Sequence, residues 1–221
     1  MVRKLNEMLD RPIVMEKVVH YMRDKLARLA PDLDRMERNA NERRVPIIPH
    51  ETVAYLNQLV EHEQPKNILE VGTAIAFSAK LMAQYAPVTT IERNPMMSEE
   101  ARKNIGGDKY PIELLEGQAE EILPKLEGPY DLIFMDSAKA KYISFLPDCL
   151  RLLSEDGILL IDDIFQGGTV VDPITTIPHR VKTIHRKLNL LLDELTSNKE
   201  LNVSLLPLGD GLAVVTKKRV N

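Results

Sequence analysis

The sequence has no tryptophan, one cysteine and four phenylalanines among its 221 residues. A single cysteine, Cys149, forms neither an internal disulfide nor a Cys-x-x-Cys metal site, so a reducing cytoplasm is the expected compartment. Phe145, Leu146, Leu150 and Leu153 surround Cys149 at helical spacing, which reads as a small buried hydrophobe. No apolar run is long enough to span a membrane, and Met1–Asp10 lacks the apolar stretch of a signal peptide. Basic charge is not in excess: the net charge is −4 and the pI is near 5.8, so nucleic-acid binding would need a local patch. No Gly-x-Gly-x-x-Gly is present, which argues against NAD or FAD. No Gly-Lys-Ser/Thr is present either, which excludes a P-loop nucleotidase. There is no repeat and no low-complexity linker.

The chain is 44% hydrophobic and 28% charged, which suits one globular domain with a sizeable core. Residues 1–64 read as a helical extension and 65–221 as an α/β core. Apolar spacing predicts helices over 13–30, 32–44 and 51–63. From residue 66 the pattern alternates, with strands expected at 67–71, 87–91, 112–115, 130–135, 157–162, 202–206 and 212–217. Helices fall between them at 74–85, 95–105, 118–124, 139–153 and 180–197. The short Leu-Gly-Asp-Gly turn at 208–211 predicts a closing antiparallel hairpin. The expected fold is a doubly wound, mostly parallel seven-stranded sheet with its last strand antiparallel.

The informative stretch is Ile68-Leu-Glu-Val-Gly72, a strand running into a glycine and then a helix, with Glu92 ending the next strand. In a doubly wound sheet this sets Gly72 where backbone approaches a ligand, and Glu92 where a carboxylate takes both hydroxyls of a ribose. Gly117-Gln118-Ala119 follows the third strand, where an adenine can lie. Two further buried strands end in carboxylates, Asp136 with Lys139 three residues on, and Asp162-Asp163. Taken singly, strand-end aspartates are ordinary caps. Three at one sheet edge repel one another unless a cation sits among them, and hard oxygen donors without His or Cys suit Mg²⁺, Mn²⁺ or Ca²⁺.

At these residues the chain resembles the metal-dependent, catechol-type O-methyltransferases that use S-adenosylmethionine, over about residues 45–217. The family's Glu-x-Gly-Thr-x-x-Gly-Tyr-Ser loop is similar to Glu70-Val-Gly-Thr-Ala-Ile-Ala-Phe-Ser78, and its Asp-Ala-x-Lys-x-x-Tyr to Asp136-Ser-Ala-Lys139-Ala-Lys-Tyr142. Its Gly-Asp-Ala resembles Gly117-Gln118-Ala119, its Asp-Asn resembles Asp162-Asp163, and its Pro-Leu-Gly-Asp-Gly-Leu hairpin is intact at 207–212. The resemblance implies a class I methyltransferase fold. It implies cofactor contacts at Val45, Glu70, Gly72, Ser78, Glu92, Gly117, Gln118, Ala119 and Asp136. It implies a metal at Asp136, Asp162 and Asp163, and Lys139 as general base with Asp136 beside it. A lysine beside a divalent cation is expected to have a lowered pKa. Four positions depart from the family pattern: Ala76 for its second glycine, expected to put a methyl near the cofactor's methionine; Phe77 and Gln118 for Tyr and Asp; and Asp163 for Asn.

A metal that binds two oxygens on adjacent atoms accepts a catechol, and equally the 5-hydroxyl and 4-carbonyl of 5-hydroxyuracil. The N-terminal helices, Arg43-Arg-Val-Pro-Ile47 and Thr183-Ile-His-Arg-Lys-Leu-Asn189 look most like the bacterial tRNA 5-hydroxyuridine methyltransferases. This makes a tRNA anticodon loop the expected partner, with 5-methoxyuridine as product. Arg43, Arg44, Lys141, Arg180, Lys182 and Arg186 are candidates to contact its phosphates. For the basic helix the alternative is a solvated face opposite Val181, Ile184, Leu188, Leu191 and Leu192. A catechol- or caffeoyl-type small-molecule enzyme is the alternative activity, although only 5% of residues are aromatic. A cofactor-binding RNA-interaction protein without turnover is the alternative class. A homodimer is expected.

Overall fold

The computed structural model describes residues 13–106 and 110–219; Met1–Asp10, read above for targeting signals, lies outside them. Three helices come first, α1 (Glu16–Lys25), α2 (Pro31–Arg43) and α3 (His50–Glu63). The helix expected over 13–30 is therefore shorter. Leu26 and Ala30 are extended, with ψ of 151° and 147°. Pro31 excludes the helical region for the residue before it and takes the first position of α2. Strands and helices then alternate: β1 (Ile68–Val71), α4 (Phe77–Met82), β2 (Val88–Glu92), α5 (Pro95–Ile105), β3 (Ile112–Glu116), α6 (Ala119–Ile122), β4 (Tyr130–Met135), α7 (Tyr142–Leu152), β5 (Leu153–Ile161), α8 (Lys182–Ser197), β6 (Leu201–Leu206) and β7 (Leu212–Lys217). Helix α5 shows how local sequence sets such ends. The Asn94 side chain accepts from Met96 N–H, Pro95 opens the first turn, and Gly106 closes the helix in the left-handed region.

The seven strands form one sheet in the order β3-β2-β1-β4-β5-β7-β6. β1 through β5 pair in parallel, and β7 runs antiparallel to both β5 and β6. The reversed last strand is thus internal, and β6 lies at the edge. Side chains alternate across the strands. Ile68, Val88, Leu132, Phe134 and Leu160 enter one apolar layer with α2, α3 and α4. Leu69, Val71, Ile91, Ile133, Met135, Leu159 and Ile161 enter the opposite layer with α7 and α8. Cys149 is fully buried in that second layer, as its spacing predicts, and burial pushes its thiol up to about 12. Among the described residues no helix is long and apolar enough to cross a membrane.

Strand order reverses at β1, which has β2 on one side and β4 on the other. In such sheets a crevice opens outside the carboxyl ends of the strands at that point. Gly72 N–H donates to Ile91 O at 3.1 Å, and Asp136 N–H donates to Val71 O at 3.0 Å, so the chain just past β1 crosses directly over the end of β4. A Cβ on Gly72 would lie 1.8 Å from the Asp136 carbonyl oxygen, and its φ is +114°. Both facts demand glycine. Gly72→Ala is expected to lose ~3 kcal/mol or more of stability, or to fail to fold, because the clash is with backbone that cannot turn aside; urea unfolding of the purified variant checks this.

Candidate active site

Two cavities open at the switch point and share Ala74, Asp136 and Ser137. The smaller, about 200 Å³, lies over the ends of β1, β2 and β3 and is lined by Gly72, Glu92, Gly117 and Ala119, with Arg93 and Lys141 at its margin. The Glu92 carboxylate is fixed there by backbone: Oε2 accepts Ala74 N–H at 2.8 Å and Oε1 accepts Asn94 N–H at 2.7 Å. Each oxygen keeps acceptor capacity for a further donor.

Four residues expected at the cofactor do not line this cavity. Glu70 is fully buried beneath the glycine loop, where Ser78 and Thr90 each donate a hydroxyl to it at 2.5 Å; Thr73 Oγ1 lies 2.6 Å from Thr90 Oγ1. Glu70 and Ser78 therefore brace the loop from below. Burial first, then the charges of Asp136 and Glu92, push the Glu70 carboxyl up to about 8 against the pull of the two hydroxyls. Val45 packs against the apolar layer of α2 and α3, and Gln118 is exposed at the start of α6. The expected methyl of Ala76 near the cofactor is likewise absent from the cleft. Ala76 and Phe77 are buried in the core, and Ala76 holds the left-handed φ of +65° that explains the family's glycine there.

The larger cavity, about 350 Å³, lies over the ends of β1, β4 and β5. Asp136, Lys139, Asp162 and Asp163 meet on its wall, as their strand-end positions predict, and Asp210 from the β6–β7 turn joins them. Asp162 is buried; its Oδ1 accepts Asp163 N–H at 2.8 Å. Asp163 sits at φ +60°, and its carboxylate lies 2.9 Å from Lys139 Nζ. Asp210 Oδ2 lies 3.0 Å from the same nitrogen. Burial by itself would lower the Lys139 pKa, but the combined pull of Asp163 and Asp210 outweighs it and raises the pKa. The lowering expected above was for a lysine beside a divalent cation; here two carboxylates grip the ammonium, a pairing the sequence did not show. Burial, reinforced by Asp163, raises the Asp136 carboxyl to about 7; burial and both neighbouring aspartates push Asp162 well up.

These donors fit a hard divalent cation: all are carboxylate oxygens, and two of them are buried beside another negative charge. They do not stand as a finished shell. Among the described residues no group of three acidic, His or Cys side chains is arranged to hold an ion. The Asp163 carboxylate is turned to Lys139.

The other wall was not foreseen. Val19, His20 and Arg23 of α1, with Pro46–Pro49 and Glu51, close the larger cavity. Buried Glu51 accepts from Arg23 Nε at 2.7 Å. Ser137 was also passed over. Its hydroxyl is buried without a hydrogen-bond partner among the described residues, at the junction of the two cavities. Of the basic candidates only Lys141 lines the cleft, and it pairs with Glu120 at 2.6 Å. Arg43 is bound by Glu100 at 2.5 Å. Arg44, Arg180, Lys182 and Arg186 line neither cavity and make no ion pair among the described residues.

The fold is thus a doubly wound sheet with a backbone-held carboxylate, Glu92, at one side of its switch point and an acidic, lysine-bearing cavity at the other. The chain belongs to the O-methyltransferase family, whose model matches residues 25–218, and it is an S-adenosylmethionine-dependent O-methyltransferase. It is 32% identical over 178 residues to a catechol O-methyltransferase of Niastella koreensis, covering 75% of this chain and 80% of that protein. The structure of a caffeoyl-CoA O-methyltransferase-like protein from Staphylococcus aureus superposes with a TM-score of 0.85 at 28% identity, covering 92% of this chain and 100% of that one. The S-adenosylhomocysteine-bound methyltransferase PaMTH1 of Podospora anserina superposes with a TM-score of 0.82 at 26% identity, covering 92% and 94%.

The buried Glu70 gives a test by pH. Its folded-state pKa, about 8, lies above the ordinary 4.5, so the native protein holds a proton that the unfolded chain releases between those values. Its contribution is therefore largest below pH 4.5 and is lost as the pH rises through 8. Glu70→Gln keeps the shape and removes the titration. From pH 5 to pH 8.5 the wild type is expected to lose stability relative to this variant by on the order of 2–4 kcal/mol, read by urea unfolding at each pH.

Proposed function

We propose that the enzyme transfers the methyl group of S-adenosylmethionine to the 5-hydroxyl of a wobble 5-hydroxyuridine in tRNA, with a divalent cation, Mg²⁺ first, at the larger cavity. Glu92 takes the ribose hydroxyls, the loop at Gly72 and the turn at Gly117–Ala119 flank the nucleoside, and Asp136 lies where donor and acceptor meet. Asp136, Asp162 and Asp163 would hold the cation, Asp163 by turning from Lys139. When bound, the cation supplies Lewis acidity that lowers the pKa of the acceptor hydroxyl and orients it. With Asp163 turned to the cation, Lys139 would keep one carboxylate partner and gain a neighbouring positive charge that favours its neutral amine; that amine would take the acceptor proton, and the walls would align an in-line displacement at carbon.

The observation that carries the RNA reading is the set of basic residues, Arg44, Arg180, Lys182 and Arg186, that make no ion pair among the described residues. Arg44 is exposed two residues before Pro46, which lines it. Arg180, Lys182 and Arg186 sit on the turn His179–Val181 and on α8, which packs against the Lys139–Lys141 turn. Phosphates are the natural partners of such groups. A catechol as acceptor is favoured instead by the named relative at 32% identity and by the small volume of the cavity. The expected homodimer belongs to the same proposal and is supported by Met15, Val18 and Tyr21, exposed along α1.

The experiment is tritiated methyl transfer from S-adenosylmethionine to tRNA bearing wobble 5-hydroxyuridine and, separately, to catechol. Label is expected in the tRNA, abolished by EDTA and reduced about 100-fold or more by Asp136→Ala. Arg180→Glu with Arg186→Glu is expected to weaken tRNA methylation and leave S-adenosylhomocysteine binding intact. Label only in catechol would assign the small-molecule activity. Bound cofactor with label in neither would leave a binding protein.

A further inference from the structure

Asp210 belongs to no part of the chemistry described so far; its sequence marks it only as the tip of a hairpin. The hairpin tip is held with unusual tightness. A Cβ on Gly209 would lie 2.6 Å from the Pro49 ring, and one on Gly211 would lie 2.1 Å from the Phe165 ring. Both glycines have positive φ. The turn is thus wedged between the wall segment Pro46–Pro49 and the loop that leaves β5. Backbone bonds fasten that loop to it: Ile164 N–H donates to Gly211 O at 3.1 Å, and Phe165 N–H donates to Asp210 O at 2.9 Å.

The two carboxylate oxygens of Asp210 have different tasks. Oδ1 accepts Gly167 N–H from the same loop, and Oδ2 accepts from Lys139 Nζ at 3.0 Å. Asp163, the other partner of Lys139, is more exposed, at 35% against 13% for Asp210. Asp163 is also the group that must leave Lys139 to meet a cation. Asp210 cannot follow, because its main chain is clamped on both sides.

We propose that Asp210 is the positioning residue for Lys139, holding the ammonium on the cavity wall whichever way Asp163 turns. The role rests on the proposed part of Lys139 in the reaction, but the contact itself does not. Asp210→Asn keeps the size and the oxygen that can serve Gly167, and removes the charge that holds Lys139.

The test has an arm that needs no acceptor. Wild type and Asp210→Asn are treated with limiting acetic anhydride, and acetylation of Lys139 is followed by peptide mass spectrometry with Lys182 as internal reference. Lys139 is expected to react several-fold faster in the variant, with S-adenosylhomocysteine affinity by calorimetry and the unfolding temperature unchanged. In the methyl-transfer assay kcat should fall about ten-fold or more with the KM for S-adenosylmethionine unmoved. An unchanged Lys139 acetylation rate would overturn the inference, as would loss of cofactor affinity in step with kcat, which marks a merely structural turn. Lys139→Ala run alongside separates the two readings: if it stays active, Lys139 is not the base, while the acetylation rates still decide whether Asp210 holds it.

Discussion

The rest of the site depends on one steric constraint, the contact of the Gly72 backbone with the main chain at Asp136. It brings the loop after β1 across the end of β4 with no side chain between them. Because of it, the amide of Ala74 reaches Glu92 on one side, and Asp136 and Ser137 face both cavities on the other. The two cavities then share a boundary made by Ala74, Asp136 and Ser137, the closeness that the proposed in-line transfer requires. The loop is kept in that place from beneath by Thr73, Thr90, Ser78 and Glu70. There burial favours the protonated acid of Glu70, against the two hydroxyls that donate to it. The carboxylates are therefore separated by depth: Glu70 below the loop, Glu92 and Asp136 above it at the cavities.

The larger cavity presents the opposite problem, too much negative charge in one place. Asp136, Asp162, Asp163 and Asp210 surround a single lysine. Burial and mutual repulsion raise Asp136 and Asp162, and the ion pairs raise Lys139. Such a cluster gains from any added cation, because each buried carboxylate lacks a full counter-charge. The aspartate at position 163, where relatives are expected to carry asparagine, adds to this. It gives Lys139 a second charged partner and makes the approach of a cation an exchange of partners.

The seven strands, the doubly wound and mostly parallel sheet, the reversed final strand and the convergence of Asp136, Lys139, Asp162 and Asp163 were all readable from the sequence. Each follows from period-two apolar runs that end in a polar residue, and parallel strands expose their carboxyl ends together. Depth was not readable. Glu70 and Glu92 both end or adjoin a strand, and only the turn geometry shows that one is beneath the loop and the other above it. Asp210 was missed because Gly-Asp-Gly is an adequate turn in its own right, and a turn motif does not show what its tip touches. The α1 wall was missed for a similar reason: the amphipathic pattern of 13–30 shows that one face is covered, not that the other faces a cavity. The pairing of Arg43 was not readable because its partner, Glu100, lies 57 residues away.

The α1 wall bears most on which acceptor is taken. The catalytic side of the cavity comes from the ends of β4 and β5 and from the β6–β7 turn, all parts of the sheet. The facing side comes from Val19, His20 and Arg23 and from Pro46–Pro49, which lie before the sheet begins. Arg23 is oriented by buried Glu51, so this wall is anchored to α3 and not merely laid against the opening. The two sides of the cavity thus come from different stretches of chain, meeting where Gly209 packs on Pro49. Under the proposed chemistry, changes in the helices alone would reshape the facing wall and leave the acidic rim in place.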